Sequence, residues 1–137
     1  MRPARPLVTE ADPLMKVPFS QKIASTAGKA VSAKGYVSAI DLLIGLGWLS
    51  PDRLNDWRRG RVVYLERVVT ANLAKLSRAM REMKAWAKHS GLRSSWTAYR
   101  HKGMSLRFSK SGNPLIEKAY STHFVLTPKT HENVDSE

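Results

Sequence analysis

Apolar positions along the chain keep helical spacing for its first two thirds and then change period. Ile23, Ala27, Ala30 and Val31 recur every three or four residues, which predicts a helix over 20–33 closed near Gly35. Over 38–46 the apolar residues (Ile40, Leu42, Leu43, Ile44, Leu46) almost encircle the axis, the pattern of a buried helix. Ser38 is placed to cap it, and Asp41, three residues on, sits near its positive end. Gly45 and Gly47 break the run, and Ser50-Pro51 restarts it with a serine cap and a proline in the first turn. That next helix turns Leu54 and Trp57 inward and ends at Gly60.

From Val62 the apolar positions Leu65, Val69, Leu73, Leu76, Met80, Met83 and Trp86 or Ala87 predict one long helix over 62–90, stopped by Gly91. Beyond Gly91 the period becomes two. Trp96 to Arg100 and Met104 to Phe108 alternate around His101-Lys102-Gly103, which predicts a hairpin with Met104, Leu106 and Phe108 on the core and Arg107 outward. Asn113-Pro114 opens a short helix over 115–120, and 123–126 is a third strand. Together these elements predict a mainly α domain of the α+β class: a helix-turn-helix-like unit, one long helix and a C-terminal β-hairpin. That order is compatible with a winged-helix-like plan. Proline punctuation marks 1–18 as a flexible arm and polar composition marks 127–137 as a flexible tail, leaving 19–126 as a single basic globular domain.

Charge changes the picture more than composition does. Between Arg53 and Lys110 fifteen Lys/Arg face three acids (Asp56, Glu66, Glu82), so this stretch alone carries the chain's net charge of +12. Such an asymmetry is the electrostatic footprint of a polyanion-binding surface, and nucleic acid is the expected partner. Cysteine is absent, which excludes disulfides, thiolate metal sites and cysteine nucleophiles and suits a reducing, cytoplasmic setting. The greasiest run, 42–49, is far shorter than the roughly 20 residues a membrane span needs, so no membrane is expected. The four histidines (His89, His101, His123, His131) lack metal-ligand spacing, and no cofactor or metal is implied.

The most specific motif is Ser38-x3-Leu42-x3-Leu46-Gly47 followed by Ser50-x3-Leu54-x2-Trp57-x2-Gly60-Arg61. In it Leu42, Leu46, Leu54 and Trp57 would pin two short helices together across a turn at Gly47. This order resembles the helix-turn-helix of the lambda-repressor/Cro-like family over residues 38–61. The resemblance implies DNA binding in the service of transcription regulation, with the second helix in the major groove. Pro51, Asp52, Arg53, Asn55 and Asp56 would then face the groove. Arg53 and Asn55 suit base edges, and Arg58, Arg59 and Arg61 suit phosphates.

Further cations extend the expected surface. Arg67, Lys75, Arg78, Arg81, Lys84 and Lys88 share the polar face of the long helix, and Arg100, Lys102, Arg107 and Lys110 lie on or after the hairpin, which would act as a wing. Alternatively, Trp96, Tyr99 and Phe108 among those cations could stack on single-stranded DNA or RNA. A metal-free ribonuclease is another reading, with His101, His123, Tyr99, Arg107 and Lys110 as its candidate base, acid and cations. The regular apolar spacing of the long helix would also serve an interaction protein, through a homodimer or a partner helix. A non-catalytic nucleic-acid binder, DNA before RNA, is the reading that uses the charge asymmetry and the helix motif together.

Overall fold

A computed structural model describes residues 18–126; the expected tail, and the expected arm up to Val17, lie outside the described residues. The first helix, α1 (Phe19–Lys34), ends at Gly35 in the left-handed conformation (φ 85°), which leads directly into strand β1 (Tyr36–Val37). Helix α2 (Ala39–Gly45) opens on a capping box. Ser38 Oγ accepts from the Asp41 amide at 3.1 Å, and the Asp41 carboxylate accepts from the Ser38 amide at 2.9 Å. Helix α3 (Pro51–Arg58) starts at Ser50, whose hydroxyl accepts from the Arg53 amide at 3.3 Å.

The long helix over 62–90 is shorter than its apolar spacing suggests. A 3-10 turn, η1 (Leu65–Val68), comes first, and the helix proper, α4 (Leu73–His89), begins only at its cap Asn72. Two causes act together. The β-branched residues Val62, Val63, Val68, Val69 and Thr70 weaken helix here. The backbone is also claimed elsewhere, since Leu65 and Glu66 donate their amides to the carbonyls of Arg107 (3.1 Å) and Phe108 (2.9 Å).

The C-terminal strands are also redistributed. Trp96 belongs not to the hairpin but to β2 (Arg93–Trp96), and the hairpin proper is short: β3 (Arg100–His101) and β4 (Met104–Ser105). Lys102 (φ 52°) and Gly103 (φ 81°) form its two-residue turn, whose two positive φ values match the twist of paired strands. Met104, expected on the core, is 72% exposed, whereas Phe108 is buried as expected. After helix α5 (Pro114–Tyr120), strand β5 (Thr122–Val125) returns between the other two, giving an antiparallel sheet of order β1-β5-β2. Its register pairs Val37 with Phe124 and Trp96 with Thr122. The domain is thus of the mixed α+β class.

Two apolar clusters hold these elements together. One sets Ile23 and Ala27 of α1 against Val37, Leu42, Ala79 and Met83. The other gathers Ile40, Leu43, Leu49, Trp57, Leu65, Leu76, Phe108 and Tyr120. The expectation that Leu42 and Leu46 pin α2 to α3 therefore needs correction. Leu42 faces α1, Leu46 is only half-buried beside it, and Leu43 is the α2 leucine that shares a cluster with Trp57. The short helix lies between two cores, so neighbouring leucines serve different ones.

Trp57 is fully buried, stacks at tilted angles on Tyr99 and Phe108 (centroids 5.7 and 4.9 Å), and donates its indole N–H to the Arg107 carbonyl at 2.7 Å. Trp57→Ala should cost about 3–5 kcal/mol in urea denaturation, as large buried aromatics do. A loss below about 1 kcal/mol would show that this cluster does not carry the fold.

Candidate nucleic-acid interface

All thirteen cations and amides expected to meet nucleic acid are solvent-exposed: Arg53, Asn55, Arg58, Arg59, Arg61, Arg78, Arg81, Lys84, Lys88, Arg100, Lys102, Arg107 and Lys110. They do not form one strip. The structure divides them among an edge, a helix face and a loop.

The edge joins the end of α3 to the hairpin. Gly60 takes a left-handed turn (φ 76°) just past the helix, and a side-chain carbon there would lie 3.1 Å from the His101 ring. Any Cβ there would force the His101 ring back by a few tenths of an ångström, and the left-handed backbone itself favours glycine. The end of α3, with Arg59 and Arg61 on either side of Gly60, thereby meets the hairpin at His101, although some forty residues of chain separate the two. The exposed side of α3 is more mixed. Asp52 lies in its first turn, and Asp56 pairs with both Arg53 (3.4 Å) and Arg61 (3.7 Å).

The helix face belongs to α4. Leu76, Ala79, Met83 and Ala87 are buried, and Lys75, Arg78, Arg81, Lys84 and Lys88 point outward against Glu82 alone. Arg78 is partly committed, lying over the Phe19 ring at 4.6 Å and 4.0 Å from Glu82. Arg81, Lys84 and Lys88 border a groove floored by Met80, Met83 and Phe124.

The loop holds Arg107 and Lys110. The Arg107 guanidinium donates to the carbonyls of Ser109 (2.8 Å) and Lys110 and lies 5.6 Å from the Tyr64 ring, so part of its donor set is spent on the fold. Glu117 accepts from the amides of Phe108 (2.9 Å) and Ser109 (2.7 Å), which fixes the same loop from below.

The aromatic residues suggested for base stacking are mostly enclosed. Phe108 is buried, Tyr99 is half-buried against Trp57 and Phe108, and Trp96 is the one left 60% exposed. Of the five residues named for a ribonuclease, Tyr99 and His123 meet, hydroxyl to Nε2 at 2.8 Å, while His101 packs on Gly60 and Arg107 joins Lys110. Sequence reasoning missed the partner of that pair, Tyr36, which stacks flat on His123 (5.0 Å, 2°) because β1 and β5 are neighbours. It also missed Arg67 as a neighbour of α3, since the unbroken helix placed it elsewhere. Among the described residues no group of three or more His, Asp or Glu is placed to hold a metal ion. Nor is any helix there long and apolar enough to cross a membrane.

Compared with protein-family models, characterised proteins and solved structures, the chain matches none.

Burial pushes the Tyr99 hydroxyl above its usual range and depresses His123 below the ordinary imidazole value of 6.5. A depressed imidazole binds its proton more weakly folded than unfolded. Its contribution to stability is therefore complete above about pH 6.5 and is lost as pH falls towards the lowered folded value. Wild-type protein should lose stability between neutral and mildly acidic pH, and His123→Gln should flatten that slope. Equal slopes in denaturant melts across this window would remove His123 as the cause.

Proposed function

We propose that this protein binds duplex DNA without catalysing a reaction on it, in a cytoplasmic setting and in the manner of a winged-helix domain. The observation that carries this reading is α4. It is seventeen residues long, its inner side packs on α1 and the core, and its outer side offers five cations against one acid. The B-DNA major groove, about 12 Å wide, admits such a helix, whereas the deep, narrow groove of an RNA duplex does not.

The surroundings of α4 support the same reading. It is followed closely by β2, and the segment between β2 and β5 contains the separate Lys102-Gly103 hairpin, which would serve as the wing. The wing's Arg100 and Lys102, and the Arg58, Arg59 and Arg61 cluster at the end of α3, suit phosphates, which position a protein on the duplex. Arg53 and Asn55 on α3 are the competing base readers under the helix-turn-helix resemblance. Asp56 pairs with Arg53 and Asp52 lies in the first turn, so Arg53 is held towards its own helix and is less free to reach a base edge. α4 is therefore the favoured groove helix, with its first turns the part that meets base edges. Regulation of transcription is the use such an interface would serve.

Binding of a labelled duplex over a salt series tests this directly. Affinity should fall steeply with salt, each phosphate contact adding about 0.9 to the slope of log K against log salt. The triple variant Lys75→Ala/Arg81→Ala/Lys84→Ala should reduce that slope by about two to three units, and an RNA duplex of the same sequence should bind more weakly. Absence of any nucleic-acid binding at low salt would sink the reading, and an unchanged slope in the variant would remove α4 from the interface.

A further inference from the structure

The break that shortens the long helix has a local consequence. It turns Arg67, in η1, towards the open side of α3, where Arg53, Arg61 and Arg67 border one cleft with Val62, Val63 and Val68. The cleft measures about 610 Å³, within the roughly 300–1,000 Å³ usual for small-ligand sites. Three guanidiniums sharing such a space repel one another unless an anion lies between them.

Among the described residues one carboxylate, Asp56, pairs with these arginines. Asp56 spans Arg53 and Arg61 through its two oxygens at 3.4 and 3.7 Å, distances long enough to orient the arginines without saturating them. Arg67 forms no ion pair among the described residues. Its neighbour Glu66 is turned away, with one carboxylate oxygen on the Lys110 amide (2.9 Å) and the other on the Tyr120 hydroxyl (2.7 Å). Among the described residues, three arginines against the one carboxylate paired with them leave the cleft in positive excess. The valine walls, with Val63 67% exposed, add an apolar surface next to those charges.

We infer that this cleft is a phosphate-binding site for the DNA backbone, with Arg67, Arg61 and Arg53 as its donors and Val63 against the neighbouring sugar. The inference rests on the duplex-binding reading given above. Guanidinium forks match phosphate oxygens two at a time, which suits a diester held from several sides. The position also fits. Arg67 lies six residues before Leu73, so even fully extended chain puts the cleft within about 20 Å of the start of α4. A duplex that takes the first turns of α4 into a groove about 12 Å wide has a bordering strand within that reach.

The test compares four proteins on one duplex over a salt series: wild type, Arg67→Ala, Arg67→Lys and, as a charge control, Lys29→Ala on the exposed side of α1. Arg67→Ala should weaken binding about tenfold, the lower end for a charged hydrogen bond, and lower the salt slope by about one. Arg67→Lys should keep most of the slope but recover only part of the affinity, because an ammonium cannot fork. Lys29→Ala should change affinity by less than about twofold, as a distant screened charge does. If wild type binds and Arg67→Ala behaves like Lys29→Ala, the cleft is overturned while duplex binding stands. If wild type binds no duplex, the reading beneath the inference fails, and inorganic phosphate decides the cleft by itself. A saturable shift of the Arg67 Nε–Hε resonance with phosphate, the resonance being assigned by its absence from Arg67→Lys, supports the site, and no shift overturns it.

Discussion

One carbonyl ties the two halves of this domain together. The Arg107 oxygen accepts from the buried Trp57 indole at 2.7 Å and from the Leu65 amide at 3.1 Å, so α3, η1 and the strand after the hairpin meet at a single point. Around it Glu66 and Glu117 turn their carboxylates inward to amides and hydroxyls of the 108–120 stretch, including Tyr120 and Ser109. Burial first, and Glu66 beside it second, push the Tyr120 hydroxyl far above its usual pKa, which keeps it a donor throughout the physiological range. Two of the three acids in the basic segment's middle and end are thus accounted for differently: Glu66 is consumed by the fold, while Glu82 stays outside near Arg78. What remains at the surface is more positive than the sequence count alone conveys.

The same junction explains why the long helix is not one helix. Apolar spacing from Val62 to Trp86 continues across a segment that hands the Leu65 and Glu66 amides to 107–108 and closes only a 3-10 turn on itself. Periodicity records which side chains are buried, and a 3-10 turn followed by a short extended stretch can bury Leu65 as well as a helix can. The β-branched run and Asn72, a good cap, were the local signals that a break belonged there.

Local chemistry was readable where one residue fixes its neighbour's backbone. Ser38 with Asp41, Ser50 with Pro51, Gly35 and Gly91 all stand where the sequence pattern puts them, and the expected turn at His101-Lys102-Gly103 narrows to Lys102-Gly103. Long-range pairing was not readable. Nothing in Tyr36-Val37 announces a strand, because two residues gain that state only from the β5 edge they lie against. Likewise Leu42 and Leu43 look equivalent in sequence, and only the placement of α1 and α3 on opposite sides of α2 separates their roles. The candidate interface follows the same rule. Exposure of the thirteen polar residues was legible from their type, but their division between α4, the Gly60–His101 edge and the Arg107 loop depends on contacts far apart in the chain.

Mapping backbone amide shifts by NMR while a duplex is titrated in asks most directly which surface meets DNA. The largest changes should fall on residues 73–84 of α4 and on the hairpin tip at 100–103, and should fade with added salt as phosphate contacts do. Changes confined to residues 51–55 of α3, with α4 silent, would contradict the assignment of the groove to α4. No changes anywhere at low salt would contradict DNA binding itself.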